Sequence, residues 1–208
     1  MWMGFWPDTA IYLPWDIWVV SWVVASVWAA RTVKYRSSAG QLPYRVLTFA
    51  GFCLLLAPAL RHVDGRYELV GWPGLLGDRL WPYPPLAVGW AMVGAAACGF
   101  LFAWWARIYL GRLWSGTITR KEGHQVVDTG PYAIVRHPIY TGIFIAALAT
   151  LVVSGTVHAA IGCVFLIAGY WLKARMEEVF LRDELGSDAY DSYRRRVPML
   201  IPFGPKEA

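Results

Sequence analysis

Long apolar segments separated by short polar stretches dominate the chain. Apolar runs cover residues 11–30, 46–60 and 86–106, and a fourth covers 139–171 with an interruption at 154–158 (SGTVH). A helix needs about 20 apolar residues to cross the hydrocarbon core of a bilayer. The fourth run is too long for one helix, so it predicts two short helices joined by a tight turn. The pattern predicts an all-α integral membrane protein with about five transmembrane helices and a C-terminal helical hairpin.

Composition agrees with a membrane setting. Of the 208 residues, 57% are hydrophobic and 16% are charged, whereas soluble domains usually carry about 25% charged residues. The three cysteines, Cys53, Cys98 and Cys163, each lie inside an apolar run, which indicates buried free thiols and argues against secreted disulfide architecture. We therefore expect a single membrane domain over residues 1–208, with three spans and their loops in residues 1–110.

The distribution of basic residues orients the predicted spans. Sixteen of the nineteen Lys and Arg residues fall in three regions, namely 31–45, 107–137 and the tail from Lys173. With five spans, all three regions lie on one side of the membrane, and the positive-inside rule makes that side cytoplasmic. The N-terminus is then outside and the C-terminus inside. Because the basic residues lie between apolar segments and not on one patch, we predict no nucleic-acid binding. We expect residues 61–82 to form an interfacial segment.

Two polar clusters flank the predicted hairpin. The first is HQVVDTGPYAIVRHPIYTG, from His124 to Gly142, and the second is KARMEEVFLRDELG, from Lys173 to Gly186. Polar groups at the end of a membrane span are costly to bury unless they are paired or used. The chain has no glycine-rich loop after a strand, no HExxH and no CxxC, so a Rossmann fold, a P-loop and a zinc-protease site have no support, and we predict no metal. Two such clusters predict one site assembled at one membrane face.

Each of these residues also has a simpler interpretation. His124 lies in a hydrophilic loop, where a lone histidine is usually solvated. Tyr132 and Tyr140 fit an interfacial aromatic belt. Lys173 and Glu177 are spaced i,i+4, which fits a salt-bridged exposed helix. The ordered series of residues, taken together, favours a site.

That series resembles the isoprenylcysteine carboxyl methyltransferase (ICMT) family of integral membrane methyltransferases, in its shorter prokaryotic form. The resemblance runs from about Leu110 to Phe203. It comprises LGRLWSG, H-x-V-V-x-x-G-x-Y-x-x-x-R-H-P-x-Y-x-G, an apolar hairpin, E-E-x-x-L-x-x-x-L-G, two tyrosines at 190 and 193, and RVPxxIPF. It makes residues 111–208 the methyltransferase-like catalytic region, with a cytoplasmic cofactor pocket built from the loop before the hairpin and the tail after it.

The resemblance implies that S-adenosylmethionine is the cofactor. The implied cofactor contacts are His124, Gln125, Val126, Val127, Tyr132, Arg136, His137, Pro138, Ile139, Tyr140 and Glu177. A carboxylate such as Glu177 suits the ammonium group of this ligand, and aromatic rings suit its cationic centre. Two positions depart from the family pattern. Thr117 stands where the eukaryotic enzymes have Gln, and Lys173 stands where the family has a substrate-side arginine.

The resemblance also implies an acceptor site. We predict that Lys173 or Arg175 orients an anionic acceptor, and that Glu178 belongs to the catalytic group. A carboxylate acceptor is already ionised at neutral pH, whereas an amine would need a base, for which His137 and Glu178 are the candidates. The expected reaction is carboxyl O-methylation of an isoprenoid-like or lipid acceptor that enters from the bilayer. The expected location is the prokaryotic inner membrane, with membrane lipids and a hydrophobic or lipidated acceptor as partners.

Two alternatives remain open from the sequence. Membrane sterol reductases are similar in their C-terminal region and use NADPH, but they carry longer chains and more cationic residues for phosphate. A non-enzymatic membrane scaffold or transporter would need neither the paired polar clusters nor a cofactor.

Overall fold

The computed structural model describes residues 6–35, 37–56, 59–63, 66–70, 74–123 and 125–206. The elements within these ranges are α1 (Pro7–Ala10), α2 (Leu13–Ala25), β1 (Thr32–Tyr35), α3 (Ser38–Leu56), β2 (Ala59–Val63), β3 (Arg66–Val70), α4 (Leu86–Leu110), β4 (Thr119–Lys121), α5 (Pro138–Ser154), α6 (Val157–Leu185) and α7 (Ser187–Arg196). The structure is mainly helical, which confirms the predicted all-α membrane class.

Three of the described helices, α3, α4 and α6, are long and apolar enough to cross a membrane. Helix α5 is apolar but has 17 residues, and α2 has 13, about 20 Å at 1.5 Å per residue. The predicted first span, 11–30, is therefore too long, because the helix ends at Ala25. The carbonyls of Ala25 and Trp28 instead accept hydrogen bonds from the buried guanidinium of Arg107, each at 2.8 Å. The count of five spans stays a prediction.

The predicted helical hairpin is confirmed. Helix α5 ends at Gly155, which has φ +61°, and α6 begins at Val157. Glycine adopts this left-handed conformation without the strain that a Cβ would bring. Helix α6 then continues past Trp171 to Leu185, so the polar cluster at 173–186 extends the hairpin's own helix. No glycine or proline interrupts that helix between Trp171 and Gly186.

Glycines bring the helices together in two close pairs. A Cβ on Gly99 of α4 would lie 2.6 Å from the carbonyl oxygen of Gly142 in α5. Between α3 and α6, a Cβ on Gly51 or Gly162 would lie 2.7 Å from a backbone nitrogen of the facing helix. Small residues permit this backbone approach where helices pack within lipid. Helices α4 and α5 are therefore closely packed against each other, and so are helices α3 and α6.

Helix α2 packs through large side chains. The rings of Trp15 and Trp18 pack on Phe100 of α4, with centroids 4.8 and 5.2 Å away, and Trp22 packs on Trp104 at 5.4 Å. The indole of Trp15 also donates a hydrogen bond of 2.9 Å to the Thr150 hydroxyl of α5. Aromatic side chains separate helix axes more than glycines do, so room is left beside α2.

Two short strand pairs, which the sequence analysis did not predict, accompany the helices. Strands β2 and β3 pair with each other, and β1 pairs antiparallel with β4. Beyond that second pair, Lys34 and Arg120 both contact the carboxylate of Glu184 near the end of α6. The three basic regions therefore meet at one end of the bundle, which we call the basic end. At the opposite end, the Leu80 N–H donates to the Gly155 carbonyl at 2.6 Å.

This arrangement makes the topology testable. In a background whose native cysteines are replaced, we expect a cysteine at Thr156 to react only from outside the cell. A cysteine at Ser187 should react only from the cytoplasm. Membrane-impermeant maleimide applied to right-side-out and inverted vesicles measures both. Reaction of the two positions from the same side would disprove the alternating helix order.

Candidate functional site

The site is built where α5 begins. His137 is the N-cap residue of α5 and Pro138 its first residue, a position where the missing proline N–H breaks no hydrogen bond. A short 3-10 turn, Gly130–Ala133, precedes this start and buries Tyr132. Arg136 and His137 are buried too. Tyr132 and Tyr140, which also fitted an interfacial aromatic belt, are therefore buried inside the protein at the basic end.

A buried ion cluster holds the start of α5 against α6. The Arg136 guanidinium donates from Nε to Oε1 of Glu178 at 2.7 Å and from Nη2 to Oε2 at 3.2 Å. The His137 ring lies 3.1 Å from Oε1 of the same carboxylate, and Arg194 of α7 lies 3.6 Å from Oε2. The side chains of Arg136 and Glu178 are 0% and 4% exposed. This geometry fixes both side chains and leaves neither facing solvent.

The C-terminal tail closes over the same cluster. The remaining Arg136 donors reach the carbonyl oxygens of Val197 and Arg194, at 2.7 and 3.1 Å. The backbone N–H groups of Arg136 and His137 donate to the carbonyls of Pro198 and Met199, at 2.9 and 3.1 Å. The RVPxxIPF motif is thus a strap whose carbonyls satisfy buried donors, as buried polar groups require.

Tyrosines of α7 form the roof of the site. The Tyr193 hydroxyl donates to the Tyr132 carbonyl at 2.7 Å, and the ring of Tyr190 packs edge-on against Tyr193. Burial raises the pKa of Tyr132 and of Tyr193 above its usual range, because an ionised phenol is poorly solvated there. Both phenols therefore stay protonated and can act as hydrogen-bond donors.

A cavity of about 770 Å³ lies under this roof. Its polar end is lined by Gln125, Val126, Val127, Tyr190 and Glu177. The volume is in the range of pockets that hold a drug-sized ligand, roughly 300–1,000 Å³.

Glu177 and Tyr140 are hydrogen-bonded to each other in the wall of the cavity. The Tyr140 hydroxyl donates to Oε2 of Glu177 at 2.7 Å. The Tyr140 ring stacks on His137, with centroids 5.3 Å apart and planes 4° apart. Within the described part of the chain, Glu177 forms no ion pair. A carboxylate thus lines the cavity with no ion-pair partner within 4 Å among the described residues, although its charge interacts with that of Lys173.

Lys173, one turn earlier on α6, lies at the cavity wall. Its ammonium donates to the Gly116 carbonyl at 2.9 Å and lies 5.3 and 5.6 Å from the ring centroids of Tyr140 and Tyr44. The side chain is buried. A buried cation with one hydrogen-bond partner and two ring faces retains donors that an anion can use.

The other half of the cavity is an apolar arm that sequence reasoning missed. It lies between α2 and α3 and is lined by Trp18, Trp22, Phe52, Leu56 and Trp114. Trp18 and Trp22 are spaced i,i+4, so they share a face of α2. That spacing was the available signal, but apolar residues facing lipid show the same spacing.

The structure separates the residues predicted for the site into three groups. Those that line the cavity are Gln125, Val126, Val127, Tyr132, Arg136, His137, Pro138, Ile139, Tyr140, Lys173 and Glu177. Arg175 and Glu178 do not line it, and His124 lies outside the described residues. Thr117 does not line it either, although its neighbours Ser115 and Gly116 do.

Two of the predicted catalytic residues, Arg175 and Glu178, thus lie outside the lining of the cavity. Arg175 is exposed and lies over the ring of Trp171, 5.9 Å from its centroid. It projects from a different face of α6 than Lys173 and Glu177. Glu178 is committed to Arg136 and His137, so its position favours a role in holding the site together over contact with a reacting group. Among the described residues, no group of three His, Cys, Asp or Glu side chains could hold a metal.

Comparison with known proteins shows a family similarity over part of the chain. The isoprenylcysteine carboxyl methyltransferase (ICMT) family matches residues 92–181, a little less than half of the chain. Over that range the chain is similar to the ICMT family. The matched range contains most of the hairpin, the ion cluster except for Arg194, and most of the polar end. The arm residues on α2 and α3 and the roof tyrosines of α7 lie outside it.

Individual relatives show the same similarity. Protein-S-isoprenylcysteine O-methyltransferase of Schizosaccharomyces pombe is 38% identical over 87 residues, covering 41% of this chain and 36% of that protein. The B form from Arabidopsis thaliana is 33% identical over 87 residues, covering 41% and 44%. Methanethiol S-methyltransferase of Crocosphaera subtropica is 34% identical over 79 residues, covering 37% and 29%. The chain thus matches less than half the length of each of these relatives.

The ion cluster yields a stability prediction. Replacing Glu178 by Ala leaves the Arg136 guanidinium buried without its anion, which we expect to lower the free energy of unfolding by about 3–5 kcal/mol. Thermal unfolding in detergent or lipid nanodiscs measures the loss. The matched control is Arg175→Ala on the exposed face of the same helix, with a change of at most about 0.5 kcal/mol.

The double variant Arg136→Met with Glu178→Leu should recover part of that stability, because no charge is then left buried alone. A Glu178→Ala protein with wild-type stability and abolished turnover would contradict this assignment and restore a catalytic role for Glu178.

Proposed function

We propose that this ICMT-like chain is a membrane methyltransferase that uses S-adenosylmethionine and methylates a hydrophobic acceptor. The observation that carries the proposal is one continuous cavity, in which a polar end that contains the Glu177 carboxylate continues into an indole-lined arm. Such a cavity suits two ligands of opposite polarity that must meet. A water-soluble cofactor enters at the basic end, and an apolar acceptor occupies the arm.

The polar end fits the cofactor's chemistry. The ligand carries an ammonium group, a sulfonium centre and an adenine, and when bound it supplies a methyl group to the acceptor. Glu177 pairs with the ammonium, since its carboxylate has no ion-pair partner among the described residues. The ring of Tyr140 faces the cationic part of the ligand. Gln125 and the backbone at Val126 and Val127 contact the adenine.

Holding and aligning the two ligands is the main task of the protein. Methyl transfer is an in-line displacement, so positioning and exclusion of water account for much of the rate. The Arg136–Glu178 pair and the strap keep His137 and Tyr140 fixed in the cavity wall. The tyrosine roof of α7 excludes water from the polar end.

The acceptor group is proposed to be a carboxylate on an isoprenoid-like or lipid molecule. Such a group is ionised at neutral pH and needs no base, and Lys173 orients it at the junction of the polar end and the arm. A thiol is the second candidate, because one of the relatives is named as an S-methyltransferase acting on methanethiol. The proposed site faces the cytoplasm at the prokaryotic inner membrane, where the basic end would lie by the positive-inside rule.

The reductase alternative is less well supported. A nicotinamide cofactor with phosphate groups needs several cationic partners. Among the described lining residues the two cations are Arg136 and Lys173, and the carboxylate of Glu178 and two carbonyls already engage Arg136. Glu177 would repel a phosphate. A scaffold or transporter would not require a carboxylate and a cation one helical turn apart inside such a cavity.

Cofactor binding is the first test. We expect detergent-purified protein to bind S-adenosylhomocysteine in calorimetry and to give no heat of binding with NADPH. Glu177→Ala should weaken that binding by about 1–3 kcal/mol, the range for a lost charge-assisted contact. Tyr140→Phe should weaken it less, since it removes only the hydroxyl that orients Glu177.

Glu184→Ala is the matched control, because Glu184 lies on the same helix but pairs with Lys34 and Arg120 outside the cavity. Binding of NADPH in place of S-adenosylhomocysteine would overturn the proposed function. Wild-type affinity in a folded Glu177→Ala protein would remove Glu177 from the site.

Acceptor orientation is the second test. We expect Lys173→Ala to lower kcat/KM for a carboxylate acceptor roughly 10- to 100-fold, because a charged hydrogen bond is worth about 1.5–3 kcal/mol. Affinity for S-adenosylhomocysteine should stay close to wild type. Arg175→Ala is the control and should leave both quantities unchanged. The reverse result, a loss with Arg175→Ala alone, would transfer the role to Arg175.

A further inference from the structure

The strap ends in an exposed apolar turn that the proposed chemistry does not use. The Gly204 N–H donates to the Ile201 carbonyl at 2.9 Å, which closes a four-residue turn with Pro202 and Phe203 at its centre. Phe203 has φ +62°, the one positive φ of a non-glycine residue in the described part of the chain. Glycine is the usual residue at this turn position, and a bulky side chain is strained there.

The strained turn presents its apolar side chains outward. Ile201 is 68% exposed and Phe203 is 100% exposed. No described residue of this chain covers them. Backbone strain at a specific position, combined with an exposed aromatic ring, points to a contact made outside the chain.

The depth of this turn is fixed by the hairpin. The Thr141 hydroxyl, in the first turn of α5, donates to the Leu200 carbonyl at 2.6 Å. The turn at 201–204 therefore lies beside the point where α5 enters the apolar bundle. With α5 as a membrane span, we expect that level to lie at the boundary between headgroups and hydrocarbon, where aromatic residues of membrane proteins concentrate.

Basic residues flank the turn on the chain. Arg195 and Arg196 at the end of α7 and Lys206 after the turn are exposed. Arg196 contacts Asp128 at 2.8 Å, while Arg195 and Lys206 extend the positive charge of the basic end. Cationic side chains beside inserted apolar ones are the chemistry of attachment to anionic lipid.

We propose that residues 200–206 form an interfacial anchor that inserts Ile201 and Phe203 into a bilayer containing anionic phospholipid. Arg195 and Lys206 bind the headgroups above it. Removal of the two apolar side chains from water outweighs the strain of one residue in the left-handed region. The inference is independent of the reaction catalysed, because it uses no residue of the cavity.

Depth measurement tests the anchor. In a background with the three native cysteines replaced, a nitroxide is attached to Phe203→Cys and the protein is placed in vesicles of phosphatidylcholine with phosphatidylglycerol. We expect the label to collide more often with dissolved oxygen than with a water-soluble nickel chelate, as a label at lipid-facing Ile108→Cys does. A label at Glu122→Cys, on an exposed polar loop at the same end, is the aqueous control.

Proteolysis gives a second readout without a label. Trypsin should cut after Lys206 and Arg196 several-fold faster in Phe203→Gly than in wild type when both are in the anionic vesicles. Glycine accepts the positive φ, so this variant keeps the turn and loses only the ring. Leu75→Ala, which removes another exposed apolar side chain at the opposite end, should leave cleavage unchanged.

Three outcomes overturn the proposal. The first is a Phe203 label that is as accessible to the nickel chelate as the Glu122 label. The second is equal depth in neutral and anionic vesicles, which removes the role of Arg195 and Lys206. The third is spin–spin broadening between Phe203 labels at high dilution in lipid, which assigns the patch to a second copy of the chain.

Discussion

The buried pair of Arg136 and Glu178 is the interaction on which the polar end depends. Removing two charges from water is offset only when the remaining donors and acceptors are satisfied as well. Here the tail supplies that satisfaction through the carbonyls of Arg194 and Val197. The buried ion pair therefore needs the strap for its stability, and the strap needs the ion pair. The start of α5, the polar part of α6 and the tail form one cooperative unit.

The two adjacent glutamates of α6, Glu177 and Glu178, have different roles in this unit. Successive residues of an α-helix point about 100° apart, so Glu177 and Glu178 cannot face the same surroundings. Glu178 faces the ion cluster and Glu177 faces the cavity. A single carboxylate could not both neutralise Arg136 and remain available to a cationic ligand, because the guanidinium and His137 already use its oxygens.

The sequence predicted the hairpin and the polar end because both have local signals. The run broken at 154–158 indicated a turn, and the Lys173/Glu177 spacing indicated a shared helix face. The same spacing rule applied to Arg175 would have placed it on a different face from Lys173. The Asp64–Gly65 dipeptide between two short runs was an unused signal for the β2–β3 hairpin.

Other features had no local signal. Trp18 and Trp22 line the cavity, yet an apolar residue that faces lipid and one that faces an internal cavity are identical in sequence. The tie between Arg136 and the tail joins residues about sixty positions apart, so no window of sequence contains it. The guanidinium that binds the carbonyls of Ala25 and Trp28 where α2 ends belongs to Arg107 on another helix, so the local sequence of α2 contains no signal for it.

The contrast between glycine packing and indole packing sets how this fold can diversify. Where α4 meets α5 and α3 meets α6, almost any larger residue at the glycines collides with backbone, so these interfaces are closed to change. The side chains of α2 meet their neighbours as rings with a cavity beside them, and exchanging one ring for a smaller side chain alters the shape of the arm without moving a helix axis. Substitutions on α2 can therefore change which apolar molecule fits the arm, while the ion pair of Arg136 and Glu178 at the polar end is unaffected. Members of such a lineage would share their C-terminal half and diverge in the first helices.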